Sequence, residues 1–252
     1  MAGSVKGAGR LLGFLLAGWI FSWLSLGLWQ GAPLVLLRPG CPDFLRIPYL
    51  AMLYLTLVAS TAYCWRRWGP SWVSWGGAGD FVAGYGLGTG FLLVQRGILW
   101  AGRSWNPPTP FPWGLLGLAL VTSPLLAWAE EWVFRGYLYG VLREERGRWT
   151  AAIGVNAFFA SVHLFRPGSA GFKVALGLGL FLVGLILTLA LERRGRLLLP
   201  IGLHSAWIVA IVVDPPVDTV PGLWSGLHGE SVAGVLSWLL LLVLGWALSR
   251  RG

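Results

Sequence analysis

Five ionisable side chains fall inside stretches that are otherwise apolar: Glu130, Glu131, Arg135, His163 and His204. Carboxylates and imidazoles are the groups a hydrolase uses to draw a proton from water and pass it on. Glu131 and Arg135 are four residues apart, so on a helix they share a face and neutralise one another. Such a pair is costly to break in a low-dielectric setting, yet packing alone accounts for it. Glu130 is turned about 100° away on the same helix and has no partner nearby in sequence, which leaves it free for acid/base work. Adjacent carboxylates split into different roles by their surroundings recur at catalytic sites. Taken singly, each residue has a plainer account, since a lone histidine in a membrane helix is commonly an interhelical hydrogen-bonding group. A Glu and two His on three separate apolar segments of one short stretch favour function over packing.

The segments that must position these groups read as membrane helices. Of the 252 residues 56% are apolar and only 12% are charged, about half the charged fraction of a soluble domain. Eight hydrophobic segments can be drawn, over 11–37, 45–65, 73–95, 112–142, 150–165, 172–191, 197–213 and 232–249. Several reach the roughly 20 residues needed to cross about 30 Å of hydrocarbon. Many of the 17 Trp sit near segment ends, as Trp65, Trp68, Trp72, Trp75, Trp105 and Trp113 do, which fits aromatic belts at the two interfaces. The expected fold is all-α: a polytopic membrane helix bundle of about eight transmembrane helices, read as a single membrane domain over 1–252. The fourth segment is too long for one simple span and must tilt, break or extend beyond the bilayer. The third is rich in glycine, with Gly84 and Gly88, and Gly86 and Gly90, at the spacing that lets helices approach closely.

The distribution of charge sets the orientation. With the N-terminus inside, the inner loops hold Lys6, Arg10, Arg66, Arg67, Arg143, Arg146, Arg148, Arg193, Arg194, Arg196, Arg250 and Arg251. The outer loops hold Arg38, Arg46, Arg96, Arg103, Arg166 and Lys173. This asymmetry puts both termini in the cytoplasm, and the expected location is the cell membrane. Arg135 is the one basic residue that no loop claims. The net charge of +9 falls in short clusters between apolar runs, which speaks for membrane orientation and against nucleic acid. The charged start at Lys6 and Arg10 precedes an apolar stretch too long for a signal peptide, so it reads as an uncleaved first helix. Cys41 and Cys64 suggest neither a disulfide framework nor a redox motif.

Counting about 1.5 Å per residue from the cytoplasmic helix ends puts Glu130 at about 18 Å, His163 at about 20 Å and His204 at about 10 Å. That permits one buried pocket. The segment 112–213 around these residues resembles the CPBP family, which comprises type II CAAX prenyl proteases and bacteriocin-processing or immunity proteins, also called the Abi family. Its first motif, E-E-x-x-x-R, stands here as Glu130-Glu131-Trp132-Val133-Phe134-Arg135, followed by Gly136-Tyr137-Leu138. Its second, F-x-x-x-H, is Phe159-Ala160-Ser161-Val162-His163, and its third begins Pro200-Ile201-Gly202-Leu203-His204, after a helix containing Gly184 and the turn 192–196. All three motifs in order, on successive apolar segments, are a specific combination where each alone is weak.

The resemblance implies an intramembrane endopeptidase with a glutamate-activated water. Glu130 would be the general base, and His163 and His204 would orient the water or stabilise the oxyanion. Glu131 and Arg135, with Phe159 of the second motif, would support the site. Glu130, His163 and His204 would also be the ligands if zinc were bound, although no further Cys or acidic residue is placed to complete a zinc site, so the expected cofactor is none. The sequence departs from the family at Ile208, where many members carry Asn or Asp four residues after the third-motif His. Asn156 and Ser205 are the candidates to supply the missing polar group. The resemblance equally covers an inactive immunity or scaffold protein. The expected partners are the bilayer and a membrane-anchored or C-terminally tailed protein or peptide substrate. Gly77-Ala78-Gly79-Asp80 matches the G-x-G-D of intramembrane aspartyl proteases, but Asp43, Asp214 and Asp218 all read as loop residues, so no second membrane aspartate completes a dyad. A G-x-S-x-G serine site is missing, and the inverted repeats of a transporter are not evident.

Overall fold

The computed structural model describes residues 9–13, 43–164, 168–213 and 222–250. Most of the first apolar segment and the loop at 214–221 lie outside the described residues. The regular structure of the described residues is helical, without a strand, and its helices follow the apolar segments. The first of these, α1 (Asp43–Trp68), ends with Arg66 and Arg67 in its last turn, where cations complement the helix dipole. Gly69 and Pro70 follow it, and the proline is a residue that cannot extend a helix. Helix α2 (Ala78–Ala101) starts at Gly77, whose N–H donates to the Asp80 carboxylate at 3.0 Å. Helix α3 (Trp113–Arg146) is continuous over 34 residues. Helix α4 (Arg148–Ser161) follows a single residue, Gly147, at φ +80°, a conformation that suits glycine. Helix α5 (Ala170–Arg194) is capped by Ser169, whose hydroxyl accepts from the Phe172 N–H at 3.2 Å. It closes at Gly195 in the left-handed conformation, so both of its ends carry the residue types that satisfy free backbone groups. Helices α6 (Leu198–Val213) and α7 (Val235–Ser249) complete the order.

Helices α3 and α5 are long and apolar enough to cross a membrane, and α6 and α7 are shorter apolar helices. The excess length of α3 is accommodated within one helix. Pro124 lies inside it and removes one backbone hydrogen bond. Residues Trp132–Tyr139 wind as a π-helix whose eight residues are all buried. Such widened turns are uncommon and recur at functional sites.

The axis of the bundle is α6, packed against α2 on one side and α3 on the other. The α2–α6 crossing is tight enough to require glycine. A Cβ on Gly84 would lie 2.0 Å from the Leu199 carbonyl oxygen, one on Gly88 would lie 2.7 Å from that of Leu203, and one on Gly202 would lie 2.1 Å from that of Phe81. Gly86 and Gly90 meet nothing within 4 Å, so of the two glycine pairs only Gly84 and Gly88 serve this contact. Helix α4 packs on α5, and α5 on α7.

The described loops fall into two sets. At one end Ser71 donates to Glu144, Ser74 and Leu197 exchange backbone bonds with Gly195 and Ser74, and Glu192 receives both Arg143 and Arg148. Asp80 there takes Arg194 at 3.1 Å and Arg196 at 3.2 Å, so the aspartate of the G-x-G-D match is a tie between helix ends. At the opposite end Gln95 bonds Ser237, Arg96 bonds Ser231, and the rings of Phe172 and His228 meet, tilted, at 4.5 Å between centroids. The basic loops around 66–77, 143–148 and 193–197 therefore share one end of the bundle.

Candidate active site

The site is built where α3 passes α6. Glu130 and Glu131 follow one another on α3, so their side chains leave the helix on different faces. Glu131 is fully buried and Glu130 is 17% exposed. Glu131 Oε1 accepts from Arg135 Nη1 at 2.9 Å, one helical turn on, as the spacing requires. The same oxygen faces His204 Nδ1 at 2.8 Å. A carboxylate can only accept there, so Nδ1 carries a proton, and in the corresponding neutral tautomer Nε2 is the acceptor. That Nε2 lies 3.9 Å from Glu130 Oε2. Glu131 thus holds one edge of the imidazole and Glu130 faces the other.

Arg135 is fully buried, and its placement explains how a cation is tolerated. Besides Glu131, it donates through Nη2 to Asn156 Oδ1 at 3.2 Å on α4, and its guanidinium lies 4.4 Å from the Phe159 ring centroid. Asn156 Nδ2 donates to Thr188 Oγ1 on α5 at 3.0 Å, and Thr188 donates in turn to the Gly184 carbonyl one turn back. Gly184 is required at this point. A Cβ there would stand 2.5 Å from Asn156 Oδ1 and 3.0 Å from Arg135 Nη2. A polar chain thereby runs from His204 on α6 through α3 and α4 to α5, which is how buried charge is usually accommodated.

Phe159 connects the remaining histidine. It is 1% exposed, and its ring lies 4.8 Å from that of His163 and 6.3 Å, edge-on, from that of His204. His163 Nδ1 faces the Phe159 carbonyl oxygen at 2.8 Å. His163 sits in the turn just beyond the end of α4 at Ser161, not within the helix.

Two sequence expectations change. Asn156 is 0% exposed and spends Oδ1 on Arg135 and Nδ2 on Thr188, so it supports the guanidinium instead of offering a donor at Glu130. Ser205 is equally buried and gives its hydrogen to the Ile201 carbonyl at 2.6 Å, an ordinary intrahelical bond. Two residues at the site escaped notice in sequence. Tyr54 of α1 donates its hydroxyl hydrogen to Glu130 Oε1 at 2.5 Å; a tyrosine in an apolar segment gives no signal of its own. Thr188 had one weak signal, standing four residues after Gly184 on a helix whose other buried residues are apolar or glycine.

Glu130, His163 and His204 are the residues that would hold a zinc ion if one were bound. Among the described residues no three His, Cys, Asp or Glu side chains are grouped to hold a metal ion.

Fold and cluster together define a class: an all-helical protein with apolar, membrane-type helices that shelter a carboxylate–imidazole cluster. The family follows from comparison. Residues 112–210 match the family model for Type II CAAX prenyl endopeptidase Rce1-like proteins, so the chain carries an Rce1-like segment, of the CPBP family. That family is one of integral membrane proteases acting on membrane-associated peptides or proteins. The matched span contains Glu130, Glu131, Arg135, His163 and His204 together. No curated protein and no solved structure matches the chain.

Proposed function

We propose that the chain is an intramembrane endopeptidase that hydrolyses a peptide bond of a membrane-associated or lipidated protein or peptide with a glutamate-activated water. One observation carries the reading: Glu130 Oε2 and His204 Nε2 face each other at 3.9 Å. That is too long for a direct hydrogen bond and is a distance that a single water spans. Such a water donates one hydrogen to Oε2 and the other to Nε2, which turns a lone pair toward the substrate carbonyl carbon. As the oxygen–carbon bond forms, Glu130 takes the proton. As the carbon–nitrogen bond breaks, Glu130 returns it to the leaving amine. Glu131 keeps the His204 tautomer fixed, the part a buried carboxylate plays beside a catalytic histidine. His163 orients the water or stabilises the oxyanion.

Eight spans in the cell membrane, in one domain with both termini cytoplasmic, belong to the same reading. The shared end of the basic loops supports that orientation, since basic loops collect on the cytoplasmic side. No step passes through a metal. The test uses purified full chain in detergent and a panel of membrane-anchored peptides, with and without a prenyl group, compared with Glu130→Ala. Product from the wild type alone supports the reading. Equal product from both proteins refutes it.

A further inference from the structure

Helix α1 lies outside the matched segment 112–210, yet it reaches the centre of the site. Tyr54 donates its one hydroxyl hydrogen to Glu130 Oε1 at 2.5 Å. A glutamate carboxyl turns freely about its last bond unless something holds it, and a turn of its plane swings both oxygens out of line with His204 Nε2. With Oε1 held by the phenol, Oε2 is the oxygen left facing His204 Nε2. The other polar groups near the third motif are not free for this task. Asn156 is bound to Arg135 and Thr188, Ser205 to the Ile201 carbonyl, and position 208 is an isoleucine packed with the core.

We infer that Tyr54 is a positioning residue for the reaction, locking the Glu130 carboxylate so that Oε2 meets the water. The inference rests on the peptidase reading and extends it: the catalytic unit includes α1 as well as the segment that carries the motifs. A phenol suits this place, because its ring is at home on an apolar helix while its tip supplies one directed donor. The hydrogen bond goes to a group that bears charge in the working state, and such bonds are the strong ones.

The experiment takes four full-length purified proteins, wild type, Tyr54→Phe, Glu130→Gln and the double variant, on the same panel of prenylated and unprenylated membrane-anchored peptides. Tyr54→Phe removes only the oxygen. The expected result is a fall in kcat of roughly 10- to 100-fold, the scale for a misplaced catalytic group or a lost bond to a charge, with KM held within about twofold. A second readout needs no turnover: thermal unfolding of the four proteins forms a double-mutant cycle. Non-additive shifts are expected if the phenol and the carboxyl touch. Wild-type kcat in Tyr54→Phe overturns the inference while leaving the peptidase reading intact, provided Glu130→Gln is inactive. A raised KM with unchanged kcat also overturns it, as does an additive cycle. Active Glu130→Gln, or a wild type that cleaves nothing on the panel, defeats the peptidase reading first and this inference with it.

Discussion

Replacing Gly184 by alanine tests the polar chain at its tightest point. The new Cβ would stand 2.5 Å from Asn156 Oδ1, 2.9 Å from Asn156 Cγ and 3.0 Å from Arg135 Nη2. Real Cβ atoms do not approach so closely, so Asn156 must move, and its bond to Arg135 moves with it. Three terms set the size of the effect. Alanine gains about 1 kcal/mol of helix propensity over glycine. Overpacking costs about 1 to 3 kcal/mol, and weakening a hydrogen bond to a charged group costs about 1.5 to 3 kcal/mol. The cost wins by about 2 to 5 kcal/mol, which for a chain of this size corresponds to a Tm lower by roughly 5 to 15 °C. The assay is thermal unfolding of the detergent-solubilised full chain, followed by the fluorescence of its 17 tryptophans. Gly86→Ala and Gly90→Ala are matched controls, because nothing lies within 4 Å of a Cβ at either position; both should melt at or above the wild-type temperature. Adding Asn156→Ala removes the clashing amide, so Gly184→Ala should cost little more in that background. A Gly184→Ala protein as stable as Gly86→Ala would refute the reasoning, and so would full additivity with Asn156→Ala.

Gly202→Ala should be more severe than Gly184→Ala, because its Cβ would stand 2.1 Å from the Phe81 carbonyl oxygen and 2.9 Å from the Tyr85 nitrogen. Backbone cannot turn aside as a side chain can, and the expected outcome is loss of a monodisperse peak in size-exclusion chromatography. The arginine partners of Asp80 are 53% and 50% exposed. Pairs with an exposed partner contribute little, so Asp80→Asn should cost only about 1 kcal/mol in the same melt. Peptide cleavage should survive that substitution, and its abolition would return Asp80 to catalysis. Arg135→Lys keeps the charge but cannot fork between Glu131 and Asn156 or lie flat on Phe159. It should lower stability by about 3 kcal/mol, the lower range for breaking a buried ion pair, and an unchanged melt would contradict the network.

Much of the helical order is legible in the apolar runs, because a membrane-type chain has to satisfy its backbone within each segment. The segments drawn at 112–142 and 172–191 correspond to α3 and α5, each a few residues longer in the structure. The pair Glu131 and Arg135 is legible for a local reason: a spacing of four is contact on one helix. What spacing cannot carry is the meeting of separate helices. Glu131 also holds His204, 73 positions away, and Glu130 is met by Tyr54 from 76 positions away. The depths assigned to Glu130 and His204 permitted their approach, but could not tell which carboxylate takes which imidazole nitrogen. Asn156 and His163 look like one face by a spacing of seven, but α4 ends at Ser161, so helical register no longer applies at His163. The two glycine pairs of α2 present the same pattern. A helix that is apolar nearly all round leaves no polar face to show which pair meets a neighbour.

Packing and chemistry are inseparable in the Glu131–Arg135 pair. Its burial calls for nothing beyond charge neutralisation, and an apolar pair of similar shape would often be as stable. Yet the Glu131 oxygen that takes Arg135 also takes His204 Nδ1. Arg135 therefore fixes where that oxygen stands, and the oxygen in turn holds the Nδ1 edge of His204 and so the direction in which Nε2 faces Glu130. In the proposed mechanism the arginine that no loop claims acts from beyond the reacting atoms, through the orientation of the ring that must meet the water.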